Sequence, residues 1–299
     1  MRVALLHNPS AGRGRGEAKA REVTQALQAA GHDVRGGSVR ADAGGLPDLV
    51  AWGEAVVVVG GDGTLHHLLP ILAGSGRVVY HAGTGTENLL ARELGHRAEP
   101  RHVVAALAEG RWRDLNVGEV RVGSEARLFA IMASTGPDAG VVHRLDASRA
   151  GAISHASYLG PVLAELRSPS LPRMTVMVDG REIVRAQRGM LVVANLCRYA
   201  LGVNPCASAL GDDGLLDAVF IPARNGVGVL AGLAACRLRL AERFGAVRAR
   251  GVRVEWTGDG PCPMQADGEA VRWKYQTKPD QWNCLADISS RRLRVVSRG

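Results

Sequence analysis

The sequence predicts an α/β domain built on a doubly wound, Rossmann-like parallel sheet, followed by a largely antiparallel β domain with inserted helices. Before Trp112, apolar runs alternate with stretches of helical periodicity, which is typical of a parallel sheet covered by helices. After it, short segments of alternating polarity dominate. The chain of 299 residues is also longer than a domain with a single hydrophobic core usually is, which indicates two domains. We expect domains at 1–113 and 114–284. A tail at 285–299 is expected to pair back, with the first domain as the candidate partner.

The predicted elements of the first domain follow the order strand, helix, strand. Apolar runs predict its strands at 3–7, 34–39, 56–59 and 77–82. Helical spacing predicts helices at 20–30, 46–52, 65–72 and 102–108. Because the carboxyl ends of parallel strands share one edge of the sheet, the loops that follow three of these strands should meet there.

The predicted elements of the second domain are shorter strands with a few helices between them. Strands are expected at 115–122, 128–133, 174–178, 190–194, 215–221 and 252–256. Helices are expected at 139–145, 156–166 and 227–244.

Composition and charge narrow the function classes. The net charge of +8 and the isoelectric point near 9.8 suit nucleic acid, an anionic membrane or phosphate-bearing substrates, or reflect only a solvated arginine-rich surface. Aromatic residues make up only 4% and are not interleaved with basic ones, so no nucleic-acid partner is expected. Five scattered cysteines predict neither a disulfide framework nor a zinc site. Without a signal peptide or an apolar span, a cytoplasmic location is expected.

Residues 56–65 (Val-Val-Val-Val-Gly-Gly-Asp-Gly-Thr-Leu) are the most informative stretch of the chain. They predict a buried strand, a glycine turn and a helix N-terminus, a geometry that favours phosphate. Asp62 would repel a bare phosphate, but it fits if a divalent cation bridges the two. The alternative is that Asp62 only caps the helix.

Two further strand–loop–helix junctions have similar chemistry. Residues 8–16 form a loop of small residues with Arg13 and Arg15, and residues 83–88 form another with Thr84 or Thr86 placed to cap a helix. Neither is a Walker A loop or a dinucleotide fingerprint. Either arginine could neutralise phosphate charge or simply face solvent.

Two acidic turns occur in the second half. Residues 211–217 carry Asp212, Asp213 and Asp217, which suits a cation or a basic partner. Residues 265–269 place Asp267 and Glu269 on either side of a glycine. Each turn, taken alone, is also explained as an ordinary turn before a strand.

Five segments in one order carry a resemblance. They are residues 8–12, 60–65, 85–91, 195–217 and 267–269. Together they resemble the diacylglycerol kinase catalytic-domain family, which includes bacterial lipid kinases, sphingosine kinases and ceramide kinases. The resemblance spans nearly the whole chain. The central segment alone is shared with NAD kinases and phosphofructokinases.

The resemblance implies an ATP-dependent lipid kinase, with ATP in a cleft between the α/β domain and a β-sandwich-like domain. It implies that Asp62 holds Mg²⁺ on the phosphates, that Glu269 is the general base for the acceptor hydroxyl, and that Asp213 ligates a second metal ion. The implied nucleotide contacts are Asn8, Ser10, Gly61, Gly63, Thr64, Gly85, Thr86 and Asn88.

Three positions depart from the family pattern. His66 stands where the family often has Asn, and Gly83-Thr84 replaces a Pro and apolar pair. Leu210 stands where the auxiliary metal site tends to have a polar residue; Asp212 is the candidate substitute.

Two other functions stay open: a kinase of a soluble substrate, of the NAD-kinase type, and a non-catalytic nucleotide-binding regulator. The expected partner is a lipid substrate at an anionic membrane surface, where basic residues dock the protein peripherally. A homodimer is left open.

Overall fold

The computed structural model describes residues 1–147, 155–259, 262–272 and 282–297. The chain divides into two compact units. The first comprises Met1–Asn116 with Ser290–Gly299, and the second comprises Val117–Ser289. The boundaries therefore fall inside two long strands, β5 (Trp112–Val122) and β15 (Trp282–Val296).

The first unit alternates strands and helices. Its strands are β1 (Arg2–His7), β2 (Asp33–Ser38), β3 (Ala55–Gly60) and β4 (Val78–Gly83), followed by the start of β5. Its helices are α1 (Ala11–Gly14), α2 (Gly16–Ala29), α3 (Leu46–Trp52), α4 (Asp62–Leu72), α5 (Leu89–Glu93) and α6 (Pro100–Glu109), with a 3₁₀ turn at Ala43–Gly45.

The sheet of the first unit is parallel, with the order β2-β1-β3-β4 and the end of β15 beside β4. The chain moves from β1 to β2 on one side and then crosses to β3 on the other. The strand order thus reverses between β1 and β3, and the crevice at such a reversal is where open α/β sheets bind ligands.

Burial of apolar side chains explains this sheet. All six residues of β3 are buried, as expected for a strand covered on both faces. One face packs against α2 and α6 in a single core. This core includes Val3, Leu5, Val23, Leu27, Val57, Val59, Val103 and Leu107.

The C-terminal segment of the chain belongs to the first unit. Val295 pairs in parallel with Val79 of β4, and the Ser297 N–H donates to the carbonyl of Arg111. Arg294 donates from two nitrogens to Asp114, at 2.8 and 3.1 Å. These contacts hold the C-terminal segment of the chain beside β4 and residues 111–114.

The second unit is mostly strand. Its strands are the remainder of β5, β6 (Glu125–Phe129), β7 (Met132–Thr135), β8 (Arg173–Val178), β9 (Arg181–Ala194), β10 (Leu216–Pro222), β11 (Val247–Gly251), β12 (Arg253–Asp259), β13 (Met264–Ala266), β14 (Glu269–Val271) and the start of β15. Its helices are α7 (Pro137–Ala147), α8 (Leu159–Arg167) and α9 (Gly226–Arg237), with 3₁₀ turns at His155–Tyr158, Ala200–Gly202 and Ala241–Phe244.

Strand β9 joins two antiparallel layers in the second unit. Its first part pairs with β8, which continues to β12 and β15. Its second part, Gly189–Ala194, pairs with β7 on one side and β10 on the other. Trp256, Phe129 and Phe220 are fully buried in the shared core. A strand that leaves one sheet for another is a feature of sandwich-like packing.

Several elements differ from the prediction. Strand β9 begins at Arg181 rather than at residue 190, and the predicted helix 156–166 is divided between a 3₁₀ turn and α8. The predicted helix 227–244 ends after Arg237, because Arg239 takes a left-handed conformation at φ +58°. The predicted strand 128–133 is interrupted at residues 130–131, for a reason that belongs to the site below. No helix in the described ranges combines the length and the apolar character needed to cross a membrane.

Candidate active site

The turn after β3 forms a tight entry into α4. Gly61 is the N-cap of this helix, and its carbonyl accepts the N–H groups of Thr64 and Leu65 at 3.0 and 3.2 Å. A Cβ atom on Gly60 would lie 2.6 Å from the Thr64 side chain. The turn therefore requires a small residue here, and it presents the positive end of the α4 dipole.

Asp62 is the first residue of α4 and is partly exposed. One carboxylate oxygen accepts the Leu90 N–H of α5, at 3.4 Å. In the described ranges, no group of three or more His, Cys, Asp or Glu side chains is arranged to hold a metal ion. A Mg²⁺ ion that is bound through one carboxylate, phosphate oxygens and water needs no such group, so Asp62 fits that role.

Asn8 joins the loop after β1 to the turn after β3. Its side-chain NH₂ donates to the Thr64 hydroxyl at 3.1 Å, and its side-chain oxygen accepts the Ser10 N–H at 3.1 Å. The Asn8 backbone N–H donates to the Val59 carbonyl. The structure thus brings Asn8 and Thr64 into direct contact, while the Ser10 side chain is exposed at the start of α1.

Asn88 shapes the loop after β4 from within. It takes a left-handed conformation, and its side chain makes two hydrogen bonds with the Gly85 backbone, at 2.7 and 2.9 Å. A Cβ on Gly85 would lie 2.8 Å from the Gly61 Cα. The two predicted glycines are therefore in van der Waals contact, and neither tolerates a side chain without displacement. Thr86 is exposed at the loop surface.

Thr84 was not among the predicted nucleotide contacts. Its hydroxyl oxygen is buried, and none of the described residues forms a hydrogen bond with it. A Cβ on Gly12, which has a φ of +59°, would lie 3.8 Å from this oxygen. A buried hydroxyl without a protein partner, beside a glycine turn, suits a phosphate oxygen. The repeated Gly-Thr pattern at 83–86 was the signal available in the sequence.

His81 lies under the central turn and is fully buried. Its Nε2–H donates to the Gly60 carbonyl at 3.1 Å, and its backbone N–H donates to His96 Nδ1. Burial lowers the pKa of His81, although the Asp62 charge and the Gly60 carbonyl act in the opposite direction. A neutral His81 supports the turn without adding positive charge.

In the second unit, Asp267 is a structural carboxylate. It is buried, and its oxygens accept the backbone N–H groups of Ala130, Ile131 and Met132 at 2.8, 2.8 and 3.1 Å. These bonds take the N–H groups away from strand pairing, which is why the predicted strand 128–133 is split into β6 and β7. Asn195 closes the same region by donating to the Ala130 carbonyl.

Glu269 follows Asp267 at the start of β14 and is partly exposed. The hairpin between them is held by Gln265, whose side-chain oxygen accepts the Gly268 N–H at 2.8 Å. The Gln265 NH₂ donates to the Ser134 hydroxyl at 2.7 Å. The predicted base therefore stands on a turn that buried side chains hold in place.

Asp138 ends this hydrogen-bond chain. Its carboxylate accepts the hydroxyl groups of Ser134 and Tyr199, the latter at 3.0 Å. Burial raises the pKa of Asp138, and these donors offset the shift only in part. Asp138 was not a predicted site residue, and a lone Asp at the start of a helix gives no local signal of this role, since such a residue is usually a cap.

Asp213 is paired with a guanidinium group. Its carboxylate forms an ion pair with Arg250, and Arg250 also pairs with Asp217 at 3.1 Å. The Asp213 carboxylate in addition accepts the Leu215 N–H at 2.9 Å. Arg250 therefore neutralises part of the acidic turn. The metal role of Asp213 stays a prediction, as does the nucleotide role of each loop residue. Asp62 belongs to the first unit, and Glu269 and Asp213 belong to the second.

Comparison with known families matches both parts of the chain. The model of the diacylglycerol kinase catalytic domain matches residues 2–120. The model of the YegS C-terminal NAD kinase beta sandwich-like domain matches residues 131–281. These matches confirm the predicted fold class, an α/β domain followed by a β-sandwich-like domain.

Individual proteins agree with the family models. A diacylglycerol kinase of Mycobacterium tuberculosis is 29% identical over 288 residues, which cover 90% of this chain and 92% of that protein. A crystal structure of a diacylglycerol kinase from Bacillus anthracis str. Sterne has a TM-score of 0.71 at 13% identity, covering 99% of this chain and 97% of that one. An NAD kinase from Archaeoglobus fulgidus, in complex with ATP, has a TM-score of 0.59 at 15% identity, covering 99% and 94%. At these identities the two structures show a shared fold.

Proposed function

Because the chain belongs to the diacylglycerol kinase catalytic-domain family, we propose that it is an ATP-dependent lipid kinase. It transfers the γ-phosphoryl group of ATP to the hydroxyl group of a lipid of the diacylglycerol or sphingoid type. The observation that carries this proposal is the meeting of three glycine-containing loops, after β1, β3 and β4, at the strand-order reversal of the first unit.

The first unit offers the phosphates of ATP neutral donors and small residues. Gly61, Gly63 and Thr64 lie at the N-terminus of α4, where backbone N–H groups and the helix dipole favour anions. Thr84 adds a buried hydroxyl without a described protein partner. The contact between Gly61 and Gly85 removes side chains from the place where the backbone must approach a ligand closely.

Asp62 is proposed to ligate Mg²⁺, because a carboxylate at a phosphate-binding turn is otherwise unfavourable. The bound ion and nucleotide supply a neutralised, transferable phosphoryl group. The hydrogen bond from the Leu90 N–H holds one Asp62 oxygen, which orients the other. The contribution of this chain is thus placement of charge before the reaction begins.

Glu269 is proposed as the general base. It takes the proton of the acceptor hydroxyl while the hydroxyl oxygen forms its bond to the γ-phosphorus and the bond to the bridging oxygen of ADP breaks. The products are a phosphomonoester of the lipid, ADP and a protonated Glu269. The bonds from Gln265 to the Gly268 N–H and to Ser134 keep the turn that carries Glu269 in one conformation.

A lipid acceptor is favoured over a soluble one by the chain's relatives. The Mycobacterium tuberculosis protein is a diacylglycerol kinase and aligns over 90% of this chain. The net charge of +8 further suits peripheral binding to an anionic membrane on its cytoplasmic side.

The test is a transfer assay with radiolabelled ATP and Mg²⁺ against diacylglycerol, sphingosine, ceramide, phosphatidylglycerol and NAD, with Asp62→Asn as the matched inactive control. We expect label in one of the lipids and none with the control variant. Labelling of NAD but of no lipid would overturn the proposal in favour of a soluble acceptor. ATP binding without transfer to any acceptor would instead favour a non-catalytic regulator.

A further inference from the structure

Helix α9 has one apolar face that the described residues leave exposed. Val227, Leu230 and Leu238, just beyond its end, are 76%, 49% and 67% exposed, and Ala234 is also exposed. Their spacing of three, four and four residues places them along one side of the helix. Large apolar side chains exposed in a continuous row are uncommon on a monomer and indicate an interaction surface.

The opposite face of α9 is firmly packed, so the exposed row does not come from a loose helix. Val229 lies in a small core with Leu171 and Ala223. A side chain at Gly232 would collide with Ile221, and one at Gly226 would collide with the Leu166 carbonyl of α8. The helix is therefore fixed in the second unit with its apolar row facing out.

The neighbouring helix α8 adds two more exposed apolar side chains. Leu159 and Leu163 lie one turn apart and are 63% and 58% exposed. The one acidic side chain of this helix, Glu165, is buried and paired with Arg144 at 2.8 Å, so it contributes no negative charge to the surface. The leucines of α8 thus lie on an element that contacts α9 directly.

The charge around the apolar row is positive. Arg224 precedes α9, Arg237 ends it, and Arg239 and Arg243 follow it; all four are exposed. Helix α9 contains no acidic residue, and over residues 224–244 the only one is Glu242, which is paired with Arg248 at 3.3 Å. Phe244, 57% exposed, closes the segment.

We propose that this surface, which we call the α9 face (Val227, Leu230, Ala234 and Leu238 with the flanking arginines and the α8 leucines), docks on an anionic phospholipid bilayer. Exposed Val and Leu side chains enter the acyl region of a membrane interface, while arginines at their borders pair with lipid phosphates. A second copy of the chain fits less well, because two identical faces would place arginines opposite arginines.

The proposal rests on the proposed lipid-kinase function for its biological meaning, but its test requires no catalysis. The intact protein is sedimented with vesicles of phosphatidylcholine alone or mixed equally with phosphatidylglycerol. Two test variants, V227Q/L230Q and R239Q/R243Q, are compared with wild type. Two control variants, V252Q and L210Q, alter exposed apolar residues elsewhere on the second unit. Val252 is 51% exposed and Leu210 is 57% exposed.

We expect wild type to bind the mixed vesicles in a salt-sensitive way. V227Q/L230Q should bind them about tenfold more weakly, and R239Q/R243Q should lose the preference for the anionic lipid, while both controls bind like wild type. Wild-type binding by V227Q/L230Q, or equal binding to both vesicle types by wild type, would overturn the proposal. So would a wild-type dimer that V227Q/L230Q dissociates, because the face would then be covered by a second copy.

Failure of the two proposals can be told apart. If the vesicle results are as expected but no lipid is phosphorylated, the kinase function fails and the docking surface stands. If V227Q/L230Q binds vesicles like wild type while wild type phosphorylates lipid, the docking surface fails and the kinase function stands. The expected outcome combines weak vesicle binding by V227Q/L230Q with unchanged phosphorylation of a short-chain lipid acceptor in solution.

Discussion

The turn at residues 60–64 and the turn at residues 265–269 look alike in the sequence but treat their aspartates differently. Both place an Asp beside a glycine at the end of a buried strand. Asp62 is partly exposed and receives one backbone N–H at 3.4 Å. Asp267 is buried and receives three, none longer than 3.1 Å.

The number of N–H donors around each carboxylate therefore decides whether it can bind a further ligand. Three backbone N–H groups use most of the hydrogen-bond acceptor capacity of the Asp267 carboxylate, so its role is structural. Asp62 retains oxygen lone pairs for a cation. In the second turn the partly exposed acid is Glu269, two residues after Asp267, and it is therefore the candidate for chemistry.

The largest effect is expected from Asp62→Asn. The variant keeps an oxygen for the Leu90 N–H but loses the charge that is proposed to hold Mg²⁺, so phosphoryl transfer should fall about 10³-fold or more. Steady-state transfer assays measure this loss, and thermal unfolding checks that the fold is intact. Near-normal transfer would remove Asp62 from the metal role.

The next effect is on stability, at Asp267→Ala. Three backbone N–H groups at residues 130–132 would lose their acceptor, which should lower the free energy of unfolding by about 3 kcal/mol. Asp267→Asn keeps one oxygen and should lose less. Urea denaturation of both variants gives the comparison. If alanine costs under about 1 kcal/mol, the contrast with Asp62 is lost.

Glu269→Gln should affect the rate but not the fold. Loss of the proposed base should lower kcat about 10²-fold, because general base catalysis contributes on that scale. The KM for ATP should change little, since the nucleotide loops belong to the first unit. An unchanged kcat would place the base elsewhere, and a similar fall in thermal stability would indicate a structural role like that of Asp267.

Much of the fold follows from local sequence, because burial sets it. The run of Val56–Val59 becomes a fully buried strand, and the predicted helix at 46–52 has those limits in the structure. The break at residues 130–131 could not be predicted, because its cause, Asp267, lies 137 positions away from Ala130. Likewise, nothing local indicates that Arg239 would take a positive φ and end α9.

The candidate site was predictable as residue types rather than as contacts. Spacing identified three loops at one sheet edge, and the fold brings them together. It could not show that Gly61 touches Gly85, that Asn88 uses its side chain on the Gly85 backbone, or that the Thr84 hydroxyl lacks a partner among described residues. Such facts depend on the packing of separate segments, so which residues touch ATP stays a prediction.

Asp138, which is linked through Ser134 to the turn at residues 265–269, predicts how stability depends on pH. Burial raises the pKa of Asp138 above its ordinary 3.8, so its contribution to stability is full below that pH and is lost as the pH rises through the folded-state pKa. Asp138→Asn cannot titrate. Relative to wild type, the variant should gain up to about 1.4 kcal/mol per pH unit as the pH rises from 4 through this range. Urea denaturation across pH measures the difference; a constant difference would contradict the shift.

The smallest effect is expected from Asp213→Asn. Asp213 resembles Asp62 in sequence, as an acid beside a glycine, but its charge is already met by Arg250, which also holds Asp217 at 3.1 Å. Because Arg250 keeps its second partner in the variant, the free energy of unfolding should fall by only about 0.5 kcal/mol. If Asp213 ligates a second metal ion, as the resemblance implies, the Mg²⁺ concentration for half-maximal transfer should rise in the variant, and an unchanged concentration would remove Asp213 from the metal role. Transfer activity is therefore titrated with Mg²⁺ for Asp213→Asn and, in parallel, for Asp217→Asn. The result decides whether the acidic turn at residues 211–217 binds metal, as is proposed for Asp62, or is structural, like Asp267.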